Sequence, residues 1–93
     1  MPRARARHIL VPTREECEGL KQQILDGAAF ADVAREHSGC PSARQGGDLG
    51  EFNEGDMVPE FGRVVFSADL NTVQGPVKTQ FGYHLLEVTS RTA

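Results

Sequence analysis

Four residues in this chain of 93 have types that could do chemistry together: His8, Cys40, Thr79 and His84. The two histidines sit in extended stretches near opposite ends of the sequence. A neutral imidazole carries one donor and one acceptor and must place both when buried. If the terminal strands are sheet neighbours, the two rings can meet and satisfy each other, with Cys40 or Thr79 in the outer positions. Three chemistries compete for this set. Zinc would take His8, His84 and Cys40, but structural zinc sites usually want four ligands at close spacing, and no C-x₂-C pair occurs. A Cys–His nucleophile needs a base, an orienting group and an oxyanion hole. Pro41 starts a helical turn after Cys40, where free N–H groups favour a polarised sulfur, yet no local nucleophile signature surrounds it. The third chemistry is a neutral polar network beneath an apolar pocket.

That pocket has a candidate in the stretch from Cys40 to Phe61, centred on Gly46-Gly47-Asp48-Leu49-Gly50-Glu51-Phe52. Its glycines imply tight turns around one short extended piece at 49–52. Leu49, Phe52, Met57 and Phe61 follow neither a helical nor a strand period. Large apolar groups on a turn-rich backbone suit the lining of a small pocket. The plainer alternative is a connector whose phenylalanines plug the core.

Composition bounds the answer. The chain is long enough for one domain, residues 1–93, with one modest core. Its net charge of −3 argues against a nucleic-acid binder, and 39% hydrophobic with 25% charged residues is ordinary for a globular domain. No apolar run approaches the ~20 residues of a membrane span. The first residues, Met1-Pro2-Arg3-Ala4-Arg5, lack the apolar core of a secretory leader. Cys17 and Cys40 make no disulfide framework. The expected setting is therefore the cytoplasm, unless the chain is a domain cut from a longer exported protein, with no membrane partner; a monomer is the expected state.

Elements that position the candidate residues can be read in order. Residues 4–11 form a strand with Ala4, Ala6, His8 and Leu10 on one face. Arg3, Arg5, Arg7 and Ile9 share the other, expected to be a solvated sheet face rather than a phosphate-binding comb. Thr13 and Glu16 form a capping box for a helix that buries Cys17, Leu20, Ile24 and Leu25 and stops at Gly27. A second short helix turns Phe30, Val33 and Ala34 inward and ends near Ser38, with His37 as a packing or capping residue. Pro59 begins another helix bearing Phe61, Val64, Val65 and Phe66, which Gly62 weakens by about 1 kcal/mol. Residues 67–72 are polar loop. Gly75-Pro76 marks 73–78 as an edge strand. The last strand, 82–89, puts Gly82, His84, Leu86 and Val88 on one face. Together they give an α+β plan: about four mostly antiparallel strands, with helices packed on one side.

These residues carry a family resemblance. The string Cys40-Pro41-Ser42-x-x-x-Gly46-Gly47-Asp48-Leu49-Gly50-x-Phe52, then Met57-Val58-Pro59-x-Phe61, then Gly75-Pro76-Val77-x-Thr79-Gln80-Phe81-Gly82-Tyr83-His84, closely resembles the parvulin-type peptidyl-prolyl cis/trans isomerases. His8-Ile9-Leu10-Val11 resembles that family's opening strand. The likeness spans essentially the whole chain and is greatest to the small single-domain bacterial (PpiC-type) members. It implies a βα₃βαβ₂ fold with a four-stranded antiparallel sheet surrounded by helices. It implies a proline pocket of Leu49, Met57 and Phe61, edged by Phe81, above a polar floor of His8, Cys40, Thr79 and His84. It further implies proline-containing polypeptide substrates, a folding-helper role, and no metal, nucleotide or organic cofactor.

The chemistry agrees with the resemblance. An X–Pro bond turns over a barrier of ~18–20 kcal/mol set by amide resonance. No bond need break, so a catalyst has only to favour the twisted amide. The linker Pro12-Thr13 leaves no room for the long basic loop of phosphoserine- or phosphothreonine-directed relatives. A residue before proline that is unmodified and mostly apolar is therefore expected. If the histidines must stay neutral, the rate should fall below pH ~6.5 unless burial moves their pKa. A peptide-binding or chaperone module with incidental isomerase activity is the competing function, since it needs the same cleft.

Overall fold

The two segments that carry the histidines become the two central strands. The structure, a computed structural model, describes residues 3–92. Its elements run β1 (Arg3–Val11), α1 (Arg14–Leu25), α2 (Phe30–His37), β2 (Asp48–Asn53), α3 (Pro59–Val65), β3 (Val73–Thr79) and β4 (Gly82–Thr92), with 3₁₀ turns at Pro41–Gln45 and Glu54–Asp56. The sheet order is β2-β1-β4-β3 and every pairing is antiparallel. Counting the Pro41–Gln45 turn as a helix, this is the βα₃βαβ₂ plan. β3 lies on an edge, where Pro76 can be accommodated, and its pairing with β4 slips between Gln74 and Val77.

Helices cover both faces of the sheet, not one. Ile9, Val11 and Leu85 pack on α1 and α2 with Cys17, Leu20, Phe30, Val33 and Ala34. Ala4, Ala6, Leu86 and Val88 pack on the opposite face with Phe52, and with Phe61 and Val65 of α3. The consecutive apolar pair Leu85-Leu86 is the mark of a strand buried on both sides, which strict alternation would not give. The face shared by the arginines is accordingly not solvated throughout. Arg7 is half-buried there, donating to Glu87 at 2.7 Å and lying 4.8 Å above the Phe30 ring.

Local signals explain the helix ends. The Thr13 hydroxyl accepts the Glu16 N–H at 3.2 Å, so the threonine half of the expected box is formed. At the far end the Gly27 and Ala28 N–H groups donate to the Ile24 and Gln23 carbonyls, closing α1 in a Schellman motif. Leu25, expected to face inward, points to solvent. His37 is on the surface in the last turn of α2 rather than in the packing.

One glycine fixes how the central loop meets the sheet. The Gly47 carbonyl accepts the His8 N–H at 3.0 Å, and the Gly47 N–H donates to the Ser42 carbonyl at 2.9 Å. Gly47 has φ 86°, and a Cβ there would overlap the His8 carbonyl oxygen. Gly47→Ala is expected to cost about 2–4 kcal/mol through strain and displacement of β1. The check is urea unfolding, where the midpoint should drop with the slope preserved.

Candidate active site

Antiparallel pairing sets His8 opposite Leu86 and Leu10 opposite His84, so the two histidines are diagonal neighbours on one face. Their Nδ1 atoms lie 3.0 Å apart, with ring planes 16° from parallel. His84 Nε2 is 2.7 Å from the Thr79 hydroxyl, which also accepts the Phe81 N–H at 3.2 Å. Having accepted one hydrogen, Thr79 can give its own to His84 Nε2. His84 Nδ1–H then donates to His8 Nδ1, and His8 Nε2 carries the remaining hydrogen. In this direction only His8 Nε2 is left unpaired, whereas the reverse would strand the Thr79 hydroxyl hydrogen as well.

Burial keeps the pair neutral. His8 and His84 are both 5% exposed. Desolvation, and then the neighbouring His84 ring, lower the His8 pKa to about 4, and desolvation lowers that of His84. A metal would need the two nitrogens that bond each other here, so the set does not suit zinc.

Phe61 stands edge-on to both imidazoles, each centroid 5.7 Å from its own. Leu49 and Met57 are partly buried in the same apolar cluster. The three expected pocket residues are thus together, but unequally open. Phe61 is only 1% exposed, so it is the floor beneath Leu49 and Met57 rather than a wall. Phe81 is 63% exposed on the β3–β4 turn, beside Thr79. Two clefts border the cluster and meet at Pro59. One of about 530 Å³ runs between Val58–Glu60 and Lys78–Gln80, and one of about 340 Å³ is lined by Met57, Gly62, Arg63 and Phe66.

Cys40 is half-buried at the start of the Pro41–Gln45 turn and bonds neither imidazole. Thr79, not Cys40, takes the outer place in the network. The residue that holds the Cys40 loop against β1 is Ser38, which sequence reasoning treated only as a helix end. Its hydroxyl accepts the Leu10 N–H at 3.0 Å and the Cys40 N–H at 3.4 Å, and the Gly39 N–H donates to the Leu10 carbonyl at 2.7 Å. A serine directly after a helix is the available signal, since its hydroxyl competes well for free backbone groups.

The model of one protein family, described as the PPIC-type PPIase domain, matches residues 2–92. The chain belongs to that family. It is therefore a peptidyl-prolyl isomerase domain of the kind found in parvulins and in the PrsA and SurA proteins. A foldase protein PrsA of Caldanaerobacter subterraneus is 46% identical over 89% of the chain, which spans 28% of that relative. A chaperone SurA of Aromatoleum aromaticum is 41% identical over 98% of the chain, which spans 23% of it. These curated relatives are several times longer than the chain. The solution structure of the parvulin NmPin of Nitrosopumilus maritimus superposes with a TM-score of 0.86 at 31% identity, covering 97% of this chain and 98% of that one. The βα₃βαβ₂ domain described above is thus the PPIase fold itself.

Proposed function

We propose that the protein accelerates rotation about X–Pro bonds in unfolded or flexible polypeptides and so helps them fold. The observation that supports this best is the neutral imidazole pair bonded at 3.0 Å directly against the Phe61 cluster. The proline ring lies on Leu49 and Met57 with Phe61 beneath and Phe81 at the mouth. Gripping that ring while the preceding carbonyl turns supplies torsional control. The planar amide is more dipolar than the twisted one, so an apolar wall raises its energy relative to the transition state. His8, His84 and Thr79 hold a fixed pattern of hydrogens around this wall and need not exchange protons with substrate. No cofactor takes part in the scheme.

Cys40 acts as a polarisable neighbour of the turning carbonyl, not as a nucleophile. A thiol without a base beside it is poorly activated, and rotation requires no acyl intermediate. Cys40→Ser is expected to keep kcat/KM within about tenfold of the wild type, an effect on the scale of one weakened electrostatic contact. Total loss in a folded variant would point to covalent chemistry.

The link between β1 and α1 is only Pro12-Thr13, so the residue before proline is read as unmodified and mostly apolar. We assign the cytoplasm on the free thiols Cys17 and Cys40 alone, and a monomeric working unit. Fractionation of the natural gene product and sedimentation test those two points. The activity is tested by exchange NMR on short X–Pro peptides with the residue before proline varied. Faster cis/trans exchange is the expected result. Binding without faster exchange would make the domain a peptide-binding or chaperone module.

A further inference from the structure

The chain carries a net charge of −3, yet among the described residues three of the four charged side chains that line the clefts near the imidazole pair are cations. Lys78 faces the same cleft as Thr79, Arg63 lines the cleft of Met57, and Arg44 lines a third cleft with Cys40. Arg3, Arg7, Arg14 and Arg35 each hold a carboxylate partner. Among the described residues, Lys78, Arg63 and Arg44 hold none. Among the described residues only one carboxylate, Glu60, lines these clefts. Asp56, next to Met57, is engaged by the Asn53 N–H at 2.9 Å.

The arrangement flanks the site. Lys78 belongs to edge strand β3, whose Thr79 bonds His84, while Arg44 belongs to the turn that leads into β2, against β1 and His8. Arg63 lies on α3, two residues beyond Phe61. The three cations sit on separate elements and line separate clefts, so they do not converge on one anion. An extended chain advances about 3.3 Å per residue, so residues two or three positions from the bound proline run out past these rim charges. We propose that this basic rim makes the domain select proline segments with acidic side chains at those outer positions. This rests on the isomerase reading and names the substrate class for the same site: acidic outside, apolar next to the proline. Charges on a rim act mainly on encounter and are screened by salt.

The test uses exchange NMR on three peptides that share an Ala-Pro core and carry Glu, Gln or Lys two and three residues to either side. The Glu peptide should show a kcat/KM about fivefold above the Lys peptide in dilute buffer, an advantage that high salt removes. The triple variant Arg44→Gln, Arg63→Gln, Lys78→Gln should bring the two rates together at low salt. A fourth peptide, with phosphoserine directly before proline, separates carboxylate from phosphate. A gain confined to that peptide overturns the proposal. Equal rates for the Glu and Lys peptides, with the Gln peptide still accelerated, also overturn it and leave the isomerase reading standing. If none of the peptides is accelerated, the isomerase reading itself fails.

Discussion

Phe61→Ala should lower stability by about 3–5 kcal/mol, the range for emptying the place of a buried aromatic ring. Phe61 is the largest of the fully buried side chains and joins α3 to the face of the sheet that carries the histidines. α3 has only seven residues, with Gly62 among them, so packing rather than propensity holds it. Losing the ring also removes the edge-on contacts it makes with His8 and His84, and water reaching the cavity would solvate the imidazoles. Activity should therefore fall with stability. Urea unfolding measures the first effect. If the alanine variant does not fold at all, Phe61→Leu separates the roles. It should regain most of the stability, yet show reduced kcat/KM because the flat floor under the proline ring is gone. A loss below about 1 kcal/mol in the alanine variant would mean that Phe61 is not packed as described.

Acid should weaken the fold well before it slows the catalyst. Unfolded His8 takes a proton below its ordinary pKa of 6.5, while folded His8 does so only near 4. Between those values the unfolded state binds more protons, so stability is fully present above pH 6.5 and falls as the pH drops toward 4. The span corresponds to about 3 kcal/mol for His8, and the lowered pKa of His84 adds in the same direction. Denaturant midpoints at pH 7.5, 6, 5 and 4.5 should trace that loss. The rate of the folded enzyme should not fall at pH 6.5, because His8 stays neutral down to about pH 4 and burial lowers the His84 pKa below that of a free imidazole. The fall below pH 6.5 expected from an unperturbed histidine is thus moved down by burial. His84→Leu should remove only its own share of the acid sensitivity, because burial, the larger cause at His8, remains; it strands His8 Nδ1 and the Thr79 hydroxyl at a cost of about 2–5 kcal/mol.

Which parts were legible in the sequence follows from range. Thr13, Gly27 and Pro59 act on their own neighbours, so α1 and the start of α3 could be read directly. The meeting of His8 and His84 was legible only as a condition, because 76 residues separate them and the sheet order decides it. The second covered face was implied by the family resemblance but not by period-2 reasoning, which assigns one apolar face per strand and which Leu85-Leu86 violates in the centre of the sheet. Leu25 lies at the ragged end of the α1 stripe, where a rotation of one residue turns it to water. The depth of Phe61 and the absence of a Cys40–imidazole bond depend on how loops stack over the sheet. Neither spacing nor residue type encodes that. Gly47 was visible as a turn glycine, but its close approach to the His8 backbone was not.

The central claim is that two buried, neutral imidazoles stand by an apolar clasp while an X–Pro bond turns, with no proton transferred. It is tested most directly by following imidazole ¹⁵N shifts and peptide cis/trans exchange in one sample as the pH is lowered from 8 to 5. Neutral-ring shifts that persist through pH 6.5, where a free imidazole is half protonated, together with an accelerated exchange rate unchanged there, are the predicted result. Exchange that declines with a midpoint near 6.5 in step with ring protonation would contradict it, as would rings that stay neutral while exchange is no faster than in buffer.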